Sequence, residues 1–335
     1  MSGSEARRDF PFEGVVLVAD MLENIKADLE THLRRDLEKT PAHVLADMTA
    51  AIRSLGLAVH HYEEPAALAT AAPKHRADVV LSVYGGQSSR NRMALVPAIC
   101  EAFGLRFIGP DAYGRVICQD KEISKRLARD AGLASPSYLL IRDEFDLEAL
   151  QSFPMPFVVK PVLEGSSIGI GPDSLVRSID HGIVIARRLL REFHAPVMAE
   201  SFVAGREVNV SLIETPSRIE FRVTEAYVPD TPDYFDTHLF DAQEKLRRGS
   251  PIRNRVLSQS TLSNEERDAL LRLPGLVGGI GYGRIDGKVA EGRFHFLEIT
   301  PDAWLGKTGS FASGFLQTGW SYEDIMQAIL LSRRA

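Results

Sequence analysis

A lysine followed by a stretch rich in glycine and serine is the first feature of the sequence that could do chemistry. Lys160 ends the apolar run 157–159, and residues 164–169 then read Glu-Gly-Ser-Ser-Ile-Gly. Such a turn offers backbone N–H groups and two hydroxyls that suit phosphate oxygens, and the lysine adds a point charge. The alternative interpretation of these residues by themselves is a surface turn between two strands.

Two acidic residues further along the chain could bind a metal ion. Asp286 and Glu298 each interrupt or end an apolar segment of the stretch 284–300, RIDGKVAEGRFHFLEIT, which predicts two consecutive strands. Carboxylates on neighbouring strands suit Mg²⁺ that also holds phosphate oxygens. The alternative is a pair of solvated residues in an antiparallel hairpin, but Glu298 lies between two apolar neighbours.

Other nucleotide-binding motifs are excluded by their spacing. A Walker A loop needs a lysine directly after its second glycine, and the Gly-Lys-Thr at 306–308 has Pro301 where the first glycine belongs. A dinucleotide-dependent dehydrogenase needs G-x-G-x-x-G after its first strand, and the segment after residues 14–20 contains no such motif.

Composition narrows the class of protein. With 335 residues, 44% of them hydrophobic, the chain can bury a sizeable core and divide into two or three domains. The net charge of −6 argues against nucleic acid as a partner, and no apolar run reaches membrane length. Cys100 and Cys118 lack the spacing of a zinc site, so we expect free, buried thiols. Residues 1–14 lack the apolar stretch of a signal peptide, and we expect a cytoplasmic protein.

The elements that must position these residues follow an α/β pattern. Strands are predicted at 14–20, 56–62 and 77–86, with helices at 22–55 and 93–104 between and after them, which favours a parallel sheet. Later segments predict a helix at 177–193, a strand at 195–203, a polar loop at 229–255 and a helix at 263–272. The predicted domains are 1–117, 118–204 and 205–335.

Taken in order, these motifs resemble a known superfamily. The set consists of Asp120-Lys121, Lys160 with the loop 165–169, the segment AESFVAGRE (199–207), Arg284-Ile285-Asp286, and Glu298. It resembles the ATP-grasp superfamily and, within it, the D-alanine–D-alanine ligases, over about residues 76–330. The resemblance implies an α/β ATP-grasp fold, in which an N-terminal Rossmann-like domain with a parallel sheet precedes two α+β subdomains that hold ATP between them.

The resemblance also implies roles for single residues. ATP phosphates would be held by Lys121 and Lys160, under a mobile lid with catalytic Ser167. Arg284 would stabilise the tetrahedral intermediate. The other implied roles are the lid (Glu164, Ser166, Ser167), adenine binding (Glu200, Phe202, Val203), ribose binding (Glu207), Mg²⁺ or Mn²⁺ binding (Asp286, Glu298) and anchoring of the acceptor carboxylate (Ser310).

Several positions depart from the family pattern. The family's glutamate after the first strand, which meets the first substrate's ammonium, has Glu23 as a candidate, although a plain helix face is the alternative. The family's metal-binding asparagine is replaced by Thr300, so either Asp302 supplies the missing oxygen or one ion is held more loosely. Other positions left open are the altered first subsite (Tyr84, Ser88, Ser89, Arg90), a second acceptor anchor (Lys307) and a phosphate contact from the loop 229–255 (His238 or Lys245).

We therefore expect an ATP-dependent carboxylate–amine ligase. ATP would activate the carboxylate of one amino acid as an acyl phosphate, and an amine, such as a second amino acid, would attack it. The alternative is a non-catalytic nucleotide-binding homologue, suggested by Thr300 and the altered first subsite. Likeness to the ligases also implies a homodimer, and the product would serve cell-wall synthesis or specialised metabolism.

Overall fold

The N-terminal part of the fold is a parallel sheet between helices. The computed structural model of the protein describes residues 10–24, 35–86, 90–246 and 249–332, with the backbone alone at 35, 245 and 246. The sheet has the order β2-β1-β3-β4 with all neighbours parallel. Its elements are β1 (Gly14–Val18), α1 (Ala42–Ser54), β2 (Ala58–Tyr62), α2 (Pro65–Ala71), β3 (Val79–Ser82), α3 (Leu95–Phe103), β4 (Arg106–Ile108) and α4 (Ala112–Gln119).

The first helix is shorter than the sequence pattern predicts. A helix over 22–55 is expected, but α1 begins only at Ala42, and residues 22–24 and 35–38 form 3₁₀ turns. Pro41 explains this boundary. A proline disfavours helical geometry in the residue before it, whereas the proline itself suits the start of a helix. Residues 25–34 lie outside the described part of the chain.

An antiparallel sheet forms the central part. Its strands have the order β5-β8-β6-β7. One face packs on α6 through an apolar core that includes Phe157, Val159 and Ala199. Because strand residues alternate between faces, Lys160 and Glu200 point to the opposite face. The elements are α5 (Lys121–Asp130), β5 (Tyr138–Ile141), β6 (Phe157–Pro161), β7 (Leu175–Val176), α6 (Ile179–Phe193) and β8 (Val197–Ser201).

The C-terminal part contains a five-stranded antiparallel sheet in the order β11-β10-β9-β12-β13. Within the segment 229–255, predicted as a polar loop, the structure has the short helix α7 and the start of β11. The elements are β9 (Arg206–Glu214), β10 (Ile219–Tyr227), α7 (Ala242–Leu246), β11 (Arg253–Leu257), α8 (Asn264–Leu276), β12 (Tyr282–Ala290), β13 (Arg293–Thr300), α9 (Ser310–Leu316) and α10 (Tyr322–Leu330).

The cores cross the predicted domain boundaries. Ala128 and Leu133, in and after α5, pack in the core of the C-terminal sheet. A second core joins β1 and α1 to α9 and α10, through residues such as Leu17, Met48 and Phe311. The N-terminal and C-terminal parts are therefore held together by shared apolar packing.

Both cysteines are buried and free, as the sequence predicts. Burial raises the pKa of the Cys100 thiol and of the Cys118 thiol to about 12. Among the helices of the described residues, none is long and apolar enough to cross a bilayer.

Candidate active site

A cavity of about 610 Å³ is lined by residues of the central and C-terminal sheets and by residues of the N-terminal part that lie outside its strands. It brings together the residues that the sequence predicts for the site, although they are spread over 190 positions of the chain. Those lining it are Lys121, Lys160, Glu164, Ser166, Ser167, Glu200, Phe202, Val203, Glu207, Arg284, Asp286, Glu298, Thr300, Asp302 and Ser310.

Two acidic residues and an asparagine form a row, here called the acidic row, across three strands of the C-terminal sheet. Asp286 on β12 lies opposite Glu298 on β13, and on its other side it lies opposite Asn209 on β9. Residues directly opposite each other in antiparallel strands share a face. The amide of Asn209 donates a hydrogen bond of 2.9 Å to Asp286. Asn209 was not predicted as a site residue, although polar and apolar residues alternate in 207–212 and place it on the same face as Glu207.

Arg284, two residues before Asp286 on β12, is fixed beside this row by two partners. Its guanidinium makes two hydrogen bonds to the carboxylate of Asp286, at 2.5 and 2.7 Å. Its third nitrogen, Nη1, donates to the hydroxyl of Ser310 at 3.0 Å. Burial lowers the pKa of Arg284, but the Asp286 carboxylate outweighs it and the pKa is raised. Arg284 therefore presents a permanent charge beside Ser310.

Glu200 lies between two lysines on the central side of the cavity. Its carboxylate accepts a hydrogen bond of 2.6 Å from Lys160 and pairs with Lys125 on α5. Burial lowers the pKa of Lys125 to about 8, against the raising effect of Glu200. Burial raises the pKa of Glu200, but the two ammonium groups outweigh it and lower the pKa. Lys125 was also missed; its signal is a lysine four positions after Lys121, on the same face of α5.

Lys121 contacts both the predicted lid and the acidic row. It is the first residue of α5, whose N-terminus is capped by the side chain of Asp120. Its ammonium lies 3.0 Å from the carboxylate of Glu298 and donates to the carbonyl of Glu164. The lysine thus sits between the first residue of the predicted lid and the predicted metal ligand.

The backbone of the predicted lid is tightly turned. Ser166 and Ser167 have φ angles of 51° and 61°, in the left-handed region that few non-glycine residues adopt. The hydroxyl of Ser167 donates to the carbonyl of Phe240 at 2.8 Å, and the N–H of Ala242 donates to the carbonyl of Ile170 at 3.3 Å. These bonds hold the lid against the segment 240–242 of the C-terminal part.

A glutamate of the N-terminal part approaches the same loop. Glu38 lines the cavity and accepts a hydrogen bond of 3.2 Å from the N–H of Gly165. Arg92, which is 2% exposed, pairs at 3.1 Å with both Glu38 and Glu164. Glu38 was not predicted as a site residue, because the sequence pattern placed it inside a long helix.

Among the residues whose roles the sequence did not decide, some line the cavity and others do not. Glu23 lies away from the cavity lining and its carboxylate accepts from the N–H of Ala42, which caps α1. Tyr84 lines the cavity, whereas Arg90 is exposed and does not. Lys307 pairs with Asp47 of α1 at 2.7 Å outside the cavity lining.

The segment 229–255 offers two candidates for a phosphate contact, His238 and Lys245. His238 is exposed and stacks on Tyr234, with ring centroids 4.2 Å apart, and it is not among the cavity-lining residues. The side chain of Lys245 and the residues Ser88 and Ser89 lie outside the described part of the chain.

Asp302 has a partner that the sequence did not suggest. One of its oxygens pairs with Arg115 of α4, which is 1% exposed. The other oxygen, Oδ1, is buried and has no hydrogen-bond partner. Burial raises the pKa of Asp302, against the lowering effect of Arg115. A metal ion could therefore find one donor atom here, not two.

Comparison with known proteins decides the family. The family model described as D-ala D-ala ligase C-terminus matches residues 127–331, which is more than half of the chain. The chain belongs to the D-alanine–D-alanine ligase family. This membership confirms the predicted ATP-grasp fold and the predicted class of activity, an ATP-dependent ligase that forms an amide bond, over the non-catalytic alternative.

Relatives of this family cover most of the chain. The D-alanine–D-alanine ligase of Thermotoga petrophila is 29% identical over 258 residues, which are 76% of this chain and 79% of that protein. The ligase of Chromohalobacter salexigens is 32% identical over 205 residues, 59% of this chain and 60% of that protein.

Solved structures of family members share the fold along almost the whole chain. The D-alanine–D-alanine ligase of Bacillus anthracis complexed with ATP has a TM-score of 0.69 at 16% identity, and covers 96% of this chain and 97% of that one. The VanG D-Ala:D-Ser ligase of Enterococcus faecalis has a TM-score of 0.66 at 16% identity, with 95% and 98% covered.

Proposed function

We propose that the protein joins two amino acids, in a reaction that converts ATP to ADP and phosphate at the cavity between the three sheets. The observation that carries the proposal is the composition of this one cavity. Four cationic side chains, one at the start of α5, one on β6 and two on β12, line the cavity together with the acidic row of β12 and β13. The cations are Lys121, Lys160, Arg284 and Lys288.

Nucleotide binding is assigned to the central side of the cavity. Lys160 and Lys121 would hold the phosphates, and the N–H groups and hydroxyls of Ser166 and Ser167 would cover them as a lid. The segment Glu200–Val203, at the end of β8 and directly after it, would meet the adenine, and Glu207 would bind the ribose hydroxyls. Lys288 supports that end, because it lies 3.3 Å from Glu207 and over the rings of Phe202 and Phe235.

The donor set of the acidic row fits a hard divalent cation. Asp286 and Glu298 provide carboxylate oxygens from adjacent positions on one face, as Mg²⁺ or Mn²⁺ prefers. Thr300 shares this face, opposite Arg284, and Asp302 would add its single unpaired oxygen. When bound, the ion would neutralise charge on the transferred phosphoryl group.

The first half of the reaction is assigned to the lysines and the lid. A carboxylate oxygen of the first amino acid attacks the γ-phosphorus, the bond to the β-γ bridging oxygen breaks, and ADP leaves with an acyl phosphate formed. Lys121 and Lys160 stabilise the charge on the phosphoryl oxygens in this step. The lid excludes water, which would otherwise hydrolyse the acyl phosphate.

The second half is assigned to Arg284 and Ser310. The amine of the second amino acid attacks the carbonyl carbon, and Arg284 stabilises the negative oxygen of the tetrahedral intermediate. Phosphate then leaves with the former carboxylate oxygen, and the nitrogen loses a proton. Ser310 would anchor the acceptor carboxylate, and Glu38 would meet the ammonium of the first amino acid, a role for which the sequence offered Glu23.

The experiment that tests this function measures phosphate release from ATP and Mg²⁺ with D- and L-amino acids, singly and in pairs. We expect release that requires two amino acids, with a product whose mass equals their sum minus water. Phosphate release without such a product would contradict the ligase proposal. The domain boundaries, the homodimer and the cytoplasmic location are retained as predictions.

A further inference from the structure

A second group of ligating side chains lies in the N-terminal part, away from the cavity. It consists of His60 on β2, His75 between α2 and β3, and Asp78, the residue before β3. Each residue offers one ligand atom, and no two of these three atoms are more than 4.8 Å apart. None of the three residues lines the cavity. A ligand bound by this group would therefore not compete with the nucleotide.

The parallel sheet places this group at the edge opposite the cavity. Asp78 precedes the first residue of β3, whereas the cavity-lining residues Val83 and Tyr84 follow its last. Parallel strands begin at the same edge of a sheet, so Asp78 lies beside Gly14, the first residue of β1. A Cβ on Gly14 would come within 2.9 Å of Oδ1 of Asp78. The glycine therefore leaves the space that the carboxylate occupies.

The ring of His75 is buried and held from both sides. Its Nδ1 lies 2.8 Å from Oδ2 of Asp78, and its Nε2 lies 2.9 Å from the hydroxyl of Tyr62. A histidine that binds a metal ion through one nitrogen almost always has the other nitrogen hydrogen-bonded, which fixes the orientation of the ring. The contact with Tyr62 meets this requirement, and Nδ1 is then the nitrogen that faces the carboxylate.

His60 adds a third ligand from the edge strand of the sheet. The centroid of its ring lies 4.9 Å from that of His75, and it shares a face of β2 with Tyr62, two positions further on. Its side chain is exposed and makes no hydrogen bond to the described part of the chain. Ligand atoms in a tetrahedral zinc site lie about 3.3–3.5 Å apart. Rotation of this one exposed imidazole toward Nδ1 and Oδ2 can therefore close the site.

We propose that His60, His75 and Asp78 bind a zinc ion that joins β2 to the segment before β3. Two imidazoles and one carboxylate suit Zn²⁺, whereas Mg²⁺ prefers oxygen ligands alone. Nδ1 of His75 and Oδ2 of Asp78 would bind the ion together, with the His75 proton on Nε2, where it is donated to the hydroxyl of Tyr62. Water would fill the fourth position of the tetrahedron. The proposal does not depend on the reaction at the cavity.

Zinc binding to the full chain without an affinity tag tests the site. Equilibrium dialysis against Zn²⁺, with an excess of Mg²⁺ to compete for the oxygen ligands of the acidic row, gives the number of bound ions and the Kd. Loss of a residue that only orients a ligand weakens metal binding by about 10–100-fold, so His60→Gln, which removes a ligand, should weaken it by about 100-fold or more. His61→Gln, on the other face of β2, is the matched control and should bind Zn²⁺ as the unchanged protein does.

A second variant distinguishes a metal site from a group of side chains that only share hydrogen bonds. Tyr62→Phe keeps all three ligands and removes the hydroxyl beside Nε2, so the Zn²⁺ affinity should fall by about 10–100-fold while one ion still binds at saturation. Because His60 is exposed, His60→Gln should retain the fold, which circular dichroism checks. Equal Zn²⁺ binding by His60→Gln and the unchanged protein would overturn the proposal. A Kd weaker than about 1 mM in the unchanged protein would overturn it as well.

Discussion

Asn209 and Asp286 lie directly opposite each other on β9 and β12, and the amide of Asn209 donates to the Asp286 carboxylate at 2.9 Å. Glu298 lies on the other side of the same carboxylate. The resemblance leads us to expect an asparagine at position 300, where the chain has threonine. The structure has an amide next to Asp286 on the neighbouring strand instead, so the acidic row retains a fixed orientation.

We predict that Asn209→Leu raises the Mg²⁺ concentration needed for half-maximal ATP turnover. A hydrogen bond to a charged group is worth about 1.5–3 kcal/mol, so an increase of about tenfold or more is expected. Mg²⁺ titration of phosphate release measures it, and Mn²⁺ binding followed by electron paramagnetic resonance reports on the site without turnover. Asn264→Leu, at the start of α8 outside the cavity, is the control. Identical titrations for both variants would refute the positioning role.

Lys125 predicts a specific pH dependence of stability. Its pKa is lowered from 10.5 to about 8 in the folded protein, so between these values the unfolded chain binds the proton that the folded protein has released. The free energy of unfolding therefore rises as the pH increases from 8 to 10.5. Below pH 8 the folded protein carries the buried charge, and the free energy of unfolding is lowered by its full desolvation cost. Lys125→Met should lack this rise.

Urea unfolding at pH 7, 8, 9 and 10.5 measures the effect. Lys74→Met, a substitution of an exposed lysine after α2, should keep the pH dependence of the unchanged protein. If Lys125→Met follows the same curve as the unchanged protein, the assignment of the titration to Lys125 is wrong.

Lys160→Met should reduce ATP turnover by about 100-fold or more, because it removes a fixed charge from the phosphoryl site. We expect the fold to survive, since Glu200 keeps Lys125 as a partner. Turnover and circular dichroism measure the two effects. Lys307→Met removes a lysine that is also ion-paired but lies outside the cavity lining, and serves as the control. An unaffected rate in Lys160→Met would remove this lysine from the proposed site.

Asp302→Ala tests two roles of one carboxylate. Removing the partner of the buried Arg115 should lower the free energy of unfolding by about 3–5 kcal/mol. If Oδ1 also binds the metal ion, the Mg²⁺ titration shifts to higher concentration. The double variant Arg115→Leu with Asp302→Leu should recover part of the stability and none of the metal dependence. An unchanged Mg²⁺ titration in Asp302→Ala would leave Asp302 as the partner of Arg115 alone.

The strands could be predicted from the sequence because their apolar residues follow the period of a strand, and β12 and β13 match the predicted segments closely. Helix boundaries were less predictable. The pattern over 22–55 is compatible with a helix throughout, but Pro41 sets the start of α1 at Ala42. The structure of the segment 229–255 was missed, because α7 and β11 are short and polar and are stabilised by the lid and by β10.

The sequence by itself determined which chemical groups are available: Lys160 before a flexible hydroxyl-bearing loop, and Asp286 and Glu298 on consecutive strands. Those assignments depend on the spacing of residues that are close together in the chain, which can be read directly from the sequence. The tertiary structure decided which distant groups complete the site. Lys125 meets Glu200, Glu38 meets Gly165, and Lys307 meets Asp47 only because separate parts of the fold pack on shared cores. No local pattern encodes contacts between residues so far apart in the chain.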